Sequence, residues 1–398
     1  MKRRKIILII ILLLVFLVPF LSWLFWNIQE TRELKVLILD KTVVNTLGQE
    51  HLSLNWVLNN EKFGTEELEL YNAKEDYFGF FPDDDGNYEI VDFNDYSKSE
   101  VDSLADNYDM VYYADLYGIY RAEWYETYPQ VAPEDYEIIP ATERSSLIYG
   151  GMTRKELNLL KAMKEQKKLI ITEFNIIASP TSYRIRHDFE KEFGVTWSRW
   201  VGRYFESLDT TKNKELPRWL KNNYLIQNDS TWPFTKSGIV FVRNDDRIII
   251  LENETQLETE TPIIYTPKLQ QEIFGLPADI KYPFWFDICY TEDPAMLISY
   301  YKIHTNHVGD STLKANGIPD AFPAVIRGVE DYPYYYFAGD FADNPISMSL
   351  SKFKHSQLVS SFTYSSSVQE RSSFFWDFYQ PLMSTILNDY YSSANKIK

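Results

Sequence analysis

Thr153-Arg-Lys-Glu-Leu-Asn-Leu-Leu-Lys-Ala-Met-Lys-Glu-Gln-Lys-Lys-Leu-Ile-Ile-Thr-Glu-Phe174 holds a helix and a strand in one unbroken run. Thr153 can accept from the free N–H groups of a first turn, and Glu156, three residues on, can reach back to the cap; the pair spells a capping box. Leu157, Leu160 and Met163 recur at helical spacing and make a buried stripe. Lys161, Lys164 and Lys167 favour the carboxyl end of that helix, where the peptide dipoles leave negative charge. From Lys168 the pattern changes. Leu-Ile-Ile is apolar at every position, as in a strand covered on both faces.

The same two signatures extend outward along the 398 residues. Lys35-Val-Leu-Ile-Leu-Asp40 and Asp109-Met-Val-Tyr-Tyr-Ala-Asp115 read as further buried strands. His51–Asn60 reads as a helix, with Leu52, Trp56 and Val57 on one face. Ser179-Pro180 is expected to open a helix carrying Phe189 and Phe193 and stopping near Gly194, since proline is tolerated at a first helical position. Two hairpins are expected. One joins Tyr77–Phe81 to Tyr88–Phe93 through Asp83-Asp84-Asp85-Gly86-Asn87, and the other joins Gly238–Val242 to Arg247–Glu252. The acidic triplet reads as turn chemistry; Gly86 comes too early for a calcium loop of EF-hand spacing. Lys281–Tyr290, Met296–His304, Phe322–Arg327 and Tyr332–Phe341 read as later strands. Ser373–Tyr391 reads as a closing helix that Pro381 should kink or break. Trp197, Trp200, Tyr204 and Trp219 fit no clear pattern. Strand–helix alternation predicts an α/β fold: a doubly wound, mostly parallel sheet with β-hairpin insertions.

The N-terminus sets a location. Lys2, Arg3, Arg4 and Lys5 precede 21 uncharged residues, Ile6–Trp26, close to the roughly 20 that a helix needs to cross a bilayer. Trp23 and Trp26 suit an interfacial belt, and no small-x-small cleavage site follows. The expectation is one N-terminal transmembrane helix acting as a signal anchor in the cell membrane, with the N-terminus cytoplasmic and the body extracytoplasmic. The chain then divides into a basic head (1–5), the anchor (6–26), a linker (27–34), the α/β domain (35–345) and a C-terminal helical segment packed on it (346–398). The whole chain carries a net charge of −17, and without the basic head the body is near −21. That charge argues against nucleic acid as a partner and against electrostatic adhesion to anionic lipid. A single cysteine, Cys289, rules out an internal disulfide framework. Asn228-Asp-Ser230 and Asn253-Glu-Thr255 are sequons.

Taken in order, Lys35–Asp40, Asp109–Asp115, Gly150-Gly151 with Lys168–Phe174 and Glu192-Phe-Gly-Val195, and Pro323-Ala-Val-Ile326 with Tyr334-Tyr-Tyr-Phe-Ala-Gly-Asp340 resemble the class I glutamine amidotransferase-like (flavodoxin-like) fold over most of residues 35–345. Glutaminases of that fold use a cysteine on a sharp turn after a strand, and a His-x-Glu pair. Here the turn reads Asn175-Ile-Ile-Ala-Ser179, and no His-x-Glu occurs. The resemblance therefore implies the fold without glutaminase chemistry. Cys289, within Phe284-Trp-Phe-Asp-Ile-Cys289, reads as a small buried hydrophobe.

In open α/β sheets, ligands bind beyond the carboxyl ends of strands. That rule nominates Asp40, Asp115, Glu173 and Asp340, with Asp343 and Asn344 close behind; the competing role for each is capping a neighbouring turn. His304, His307 and Asp310 stand at spacings of three and are weak metal candidates in what reads as a solvated loop, with Gly309 arguing against a helix. No cofactor is expected. Three functions are open. The first is a membrane-anchored, non-enzymatic binding or assembly protein handling cell-envelope or exported polysaccharide or an envelope protein, since aromatic faces beside carboxylates suit sugar rings. The second is a carbohydrate-active hydrolase using Asp115, Glu173 and Asp340. The third is a structural subunit.

Overall fold

The structure, a computed structural model, describes residues 16–134, 136, 145–213, 215–360 and 364–395. Among the described residues, fourteen strands build the two larger sheets. In chain order they are β1 Val36–Asp40, β2 Phe78–Pro82, β3 Tyr88–Val91, β4 Met110–Tyr113, β5 Leu169–Thr172, β6 Val195–Phe205, β7 Gly238–Arg243, β8 Ile248–Glu252, β9 Ile263–Tyr265, β10 Asp279–Lys281, β11 Phe286–Thr291, β12 Leu297–Lys302, β13 Ala321–Arg327 and β14 Tyr334–Phe337. The large sheet runs β10-β9-β12-β13-β14-β5-β4-β1-β2-β3. Its five central strands, β14, β5, β4, β1 and β2, are parallel. The flanking strands are antiparallel. A four-stranded antiparallel sheet, β8-β7-β6-β11, leans on the first.

The expected doubly wound frame is present in the centre. The chain leaves β1 for β2 on one side, then returns through helix Lys98–Asn107 to β4 on the other. Right-handed crossovers place helix Leu52–Asn60 and helix Lys98–Asn107 on opposite faces. One layer holds Lys98–Asn107, Arg154–Glu165 and Tyr183–Phe193; the other holds Leu52–Asn60, Gln380–Asn395 and Lys268–Phe274. With both faces covered, β1, β4 and β5 are buried at every position. The sheet is mixed rather than mostly parallel. Short connections such as the one from β13 to β14 leave no room for a crossover, so those strands turn back antiparallel.

Both hairpins form. At the first, the Asp83 carboxylate accepts from the backbone N–H of Asp85 and Asn87, as an Asx turn does. Thr153 and Glu156 form the capping box. Replacing Thr153 with Ala should cost about 1 kcal/mol, read as a lowered urea midpoint with unchanged slope.

Four local readings are corrected. Pro180 lies in a turn on a cis peptide bond, and the helix begins at Tyr183 after Ser182. The Thr181 hydroxyl shapes that turn by donating to Ile176 O and accepting from Met152 N–H. Lys281–Tyr290 is split between two sheets. Pro381 neither ends nor breaks the last helix: a π-turn at Phe375–Tyr379 precedes it, and Gln380–Asn395 continues. His307–Ala315 is a helix capped by Asn306, with Gly309 inside it. Gly309 is there because a Cβ would lie 2.5 Å from Gln256 O. Among the described residues His304, His307 and Asp310 do not gather as metal ligands; His304 pairs with the Tyr265 hydroxyl at 3.0 Å and Asp310 accepts from Thr305.

Residues 1–15 lie outside the described residues, so the expected basic head and residues 6–15 of the expected anchor do too. Residues 16–27 are helical. Among the described residues no helix is long and apolar enough to cross a membrane.

Candidate functional site

β1, β4, β5 and β14 all end at one edge of the sheet. Their exits carry Asp40, Asp115, Glu173 and Asp340, and a cavity of about 570 Å³ opens above them. Asp115, Asp340 and Asp343 line it. Asp40 and Glu173 lie beneath it.

Asp40 is fully buried and serves the frame. It accepts from Thr42 N–H and Glu50 N–H at 3.0 Å each, and sits 2.7 Å from His51 Nδ1. It therefore places Glu50, which the sequence reading did not single out, on the cavity wall. Glu173 is buried and accepts from the Tyr112 hydroxyl at 2.5 Å. Burial, then the fields of Asp340 and Asp115, push its carboxyl up, against the Tyr112 bond.

Asp115 accepts from Tyr117 N–H at 2.6 Å and from the Asn175 side-chain amide at 3.4 Å. Burial raises it well above the usual carboxylate range, and Asp340 and Asp40 add to that. Asp340 is pushed up to about 7 by burial and by Asp343, against the pull of Arg371 and Arg203. Glu50 is raised by burial and then by Asp343, Asp340, Asp40 and Asp115. Glu123, on the same wall, is pushed up to about 7 by burial. The crevice thus concentrates carboxyls that prefer to hold protons near neutrality.

Arg371 is the local counter-charge. It lies 2.6 Å from Asp343 and 3.6 Å from Asp340, and its guanidinium stacks 3.9 Å from the Phe284 ring centre. Arg203, from β6, pairs with Glu215 and lies over Phe205 and Trp285. Phe174, Trp197, Trp219, Phe284 and Trp285 give the walls broad apolar faces. Trp197 comes from β6 as well, so the second sheet closes one side of the cavity.

Glu50, Asp340 and Asp343 each offer an oxygen, and these oxygens lie within 4.8 Å of one another. Such a set suits a hard cation of the calcium or magnesium kind, although Arg371 already supplies positive charge there. The turn after β5 is sharp, with Asn175 at φ 64, but an amide at that position is no nucleophile. Cys289 is fully buried. Burial and Asp287 push its thiol up, so the thiolate that would attack is disfavoured.

Sequence reasoning found the strand-end carboxylates. It missed Glu50, Arg203 and Arg371, which reach the crevice from a loop, the second sheet and the approach to the last helix. No spacing rule ties such residues together. No protein-family model matches the chain, and neither a curated protein nor a solved structure does.

Proposed function

We propose that this cavity binds a saccharide unit of cell-envelope or exported polysaccharide, in a protein held at the membrane by its N-terminal apolar segment with the body outside the cytoplasm. The frame is read as an amidotransferase-like one put to non-catalytic use. The observation that carries the proposal is the cavity lining, in which Phe174, Trp219 and Trp285 stand beside Asp115, Asn175 and Arg371. A sugar ring offers an apolar face and a hydroxylated edge, and such a wall serves both. The absence of an activated nucleophile at the Asn175 turn favours binding over glutaminase-type transfer.

The test is glycan-array binding by the full chain in lipid nanodiscs. Trp285→Ala should weaken binding about tenfold or more, the equivalent of about 1.4 kcal/mol, and Asp115→Asn should weaken it as well, with both variants folded by circular dichroism. Unchanged binding in both would overturn the site.

A hydrolase is the second reading, favoured by Asp340, held near 7, beside Asp343, which is ion-paired with Arg371. Glycoside cleavage uses a pair of carboxyl groups at one small cavity, and Asp340 and Asp343 each offer an oxygen within 4.8 Å of the other's. The expected trio of Asp115, Glu173 and Asp340 changes accordingly, with Asp343 replacing the buried Glu173. Release of reducing ends from a bound glycan, lost in Asp340→Asn, would establish this reading; binding without release would sink it.

A further inference from the structure

The cavity is unevenly charged. Among the described residues its lining carries six carboxylic side chains, Glu50, Asp115, Glu123, Glu126, Asp340 and Asp343, against three arginines. Each arginine already has a carboxylate. Arg203 pairs with Glu215 at 2.9 Å and Arg243 with Asp245 at 2.6 Å, and neither of those partners lines the cavity. Arg371 lies 2.6 Å from Asp343. An anionic ligand would have to compete for every one of these cations. The carboxyls are not balanced in the same way.

Glu50 carries the imbalance furthest. Its backbone is fixed, since its N–H donates to Asp40 at 3.0 Å. Its side chain lines the cavity half-buried, and among the described residues no donor bonds to its carboxyl. The charges acting on it, those of Asp343, Asp340, Asp40 and Asp115, are all negative. A carboxyl placed like this costs stability and holds no part of the fold together.

Glu50, Asp340 and Asp343 each offer an oxygen, all within 4.8 Å of one another. A primary ammonium has three N–H donors and no acceptor, so one such group can serve all three oxygens from a single point. Charge-assisted bonds of this kind are about twice as strong as neutral ones. A calcium ion asks for about 6–8 oxygens and would meet the Arg371 guanidinium at two of the three carboxylates. An aromatic wall adjoins the trio: Asp340 N–H donates to Trp285 O at 3.1 Å. The ring that suits a sugar face and the carboxyl that suits a cationic substituent are therefore fixed to each other.

We infer that the saccharide taken by this cavity is an amino sugar with a free amine, its ring against Trp285 and its ammonium among Glu50, Asp340 and Asp343. This rests on the saccharide reading above and specifies the charge of the ligand. The test compares disaccharides that differ only at nitrogen, di-N-acetylchitobiose and its fully de-N-acetylated form. Each is titrated calorimetrically into the full chain in lipid nanodiscs, with a chelator present, just below neutral pH where the amine holds its proton. The free amine should bind about tenfold tighter or more. Glu50→Gln removes a charge at constant shape and breaks no hydrogen bond of the fold. It should weaken the amine about fivefold or more and leave the acetylated sugar unchanged. Equal affinities, or tighter binding of the acetylated form, overturn the inference and leave the saccharide reading standing. A preference for the amine that survives Glu50→Gln undiminished overturns the placement at this trio. Binding of other glycans on the array but of neither disaccharide overturns the inference alone. Binding of no glycan overturns the saccharide reading and the inference together.

Discussion

Replacing Lys41 with Met should destabilise the protein by about 3–5 kcal/mol, the usual consequence of removing one partner of a buried ion pair. Lys41 Nζ lies 2.6 Å from Glu156 Oε1 and 2.9 Å from Gly151 O, with the Tyr149 ring centre 4.6 Å away. The two side chains are 0% and 1% exposed. Water cannot reach a Glu156 carboxylate left without its cation. Adding Glu156→Gln should recover most of the loss, because a neutral amide needs no counter-ion and its oxygen can still accept from Thr153 N–H, as Glu156 Oε2 does at 2.7 Å. Urea unfolding of the single and double variants measures this. A cost under about 1 kcal/mol for Lys41→Met would place the pair in the class of solvent-screened bridges. The backbone N–H of residue 41, which donates to Asp115 O at 2.9 Å and ties the exit of β1 to that of β4, is kept by the substitution.

Stability should decrease as pH rises from about 4 to about 7, opposite to a protein whose carboxylates are held by ion pairs. Asp340 and Asp287 are each raised to about 7, and Glu50, Asp115 and Glu173 are also raised, burial being the leading cause in every case. Over that window the native state holds protons that the unfolded chain has released. The unfolded state therefore binds fewer protons, and the slope of stability against pH is negative. For Asp340 alone, a rise from about 3.8 to about 7 corresponds to a few kcal/mol. Exposed carboxyls that are held low, such as Asp209 at about 2, act below about pH 4 and leave the window clear. Asp340→Asn should raise the urea midpoint at pH 8 and leave it nearly unchanged at pH 4. A midpoint that climbs between pH 4 and 7, or an Asp340→Asn variant with the wild-type slope, would refute the assignment.

Local rules read the centre of this fold well because its parts are self-contained. A capping box, an apolar run or an Asx turn each lies within a few residues. They read β6 poorly. Its register shifts between Trp197 and Val201, and Arg199 takes φ 76; the bulge breaks the period-two alternation that identifies a strand. They also mistook Gly309 for a loop residue, because the carbonyl that demands a glycine there belongs to Gln256, remote in sequence.

The same division holds for the site. Sequence by itself determined that Asp40, Asp115, Glu173 and Asp340 leave strand ends at one edge, since strand direction and connection handedness follow from local pattern. Only the tertiary structure decided which of them meet solvent. Asp40 turns to His51 and Glu173 to Tyr112, while Asp115 and Asp340 face the cavity with Glu50, Asp343 and Arg371. Burial and electric field depend on distances between segments up to 321 residues apart, such as Glu50 and Arg371, and those distances exist only once the chain has packed.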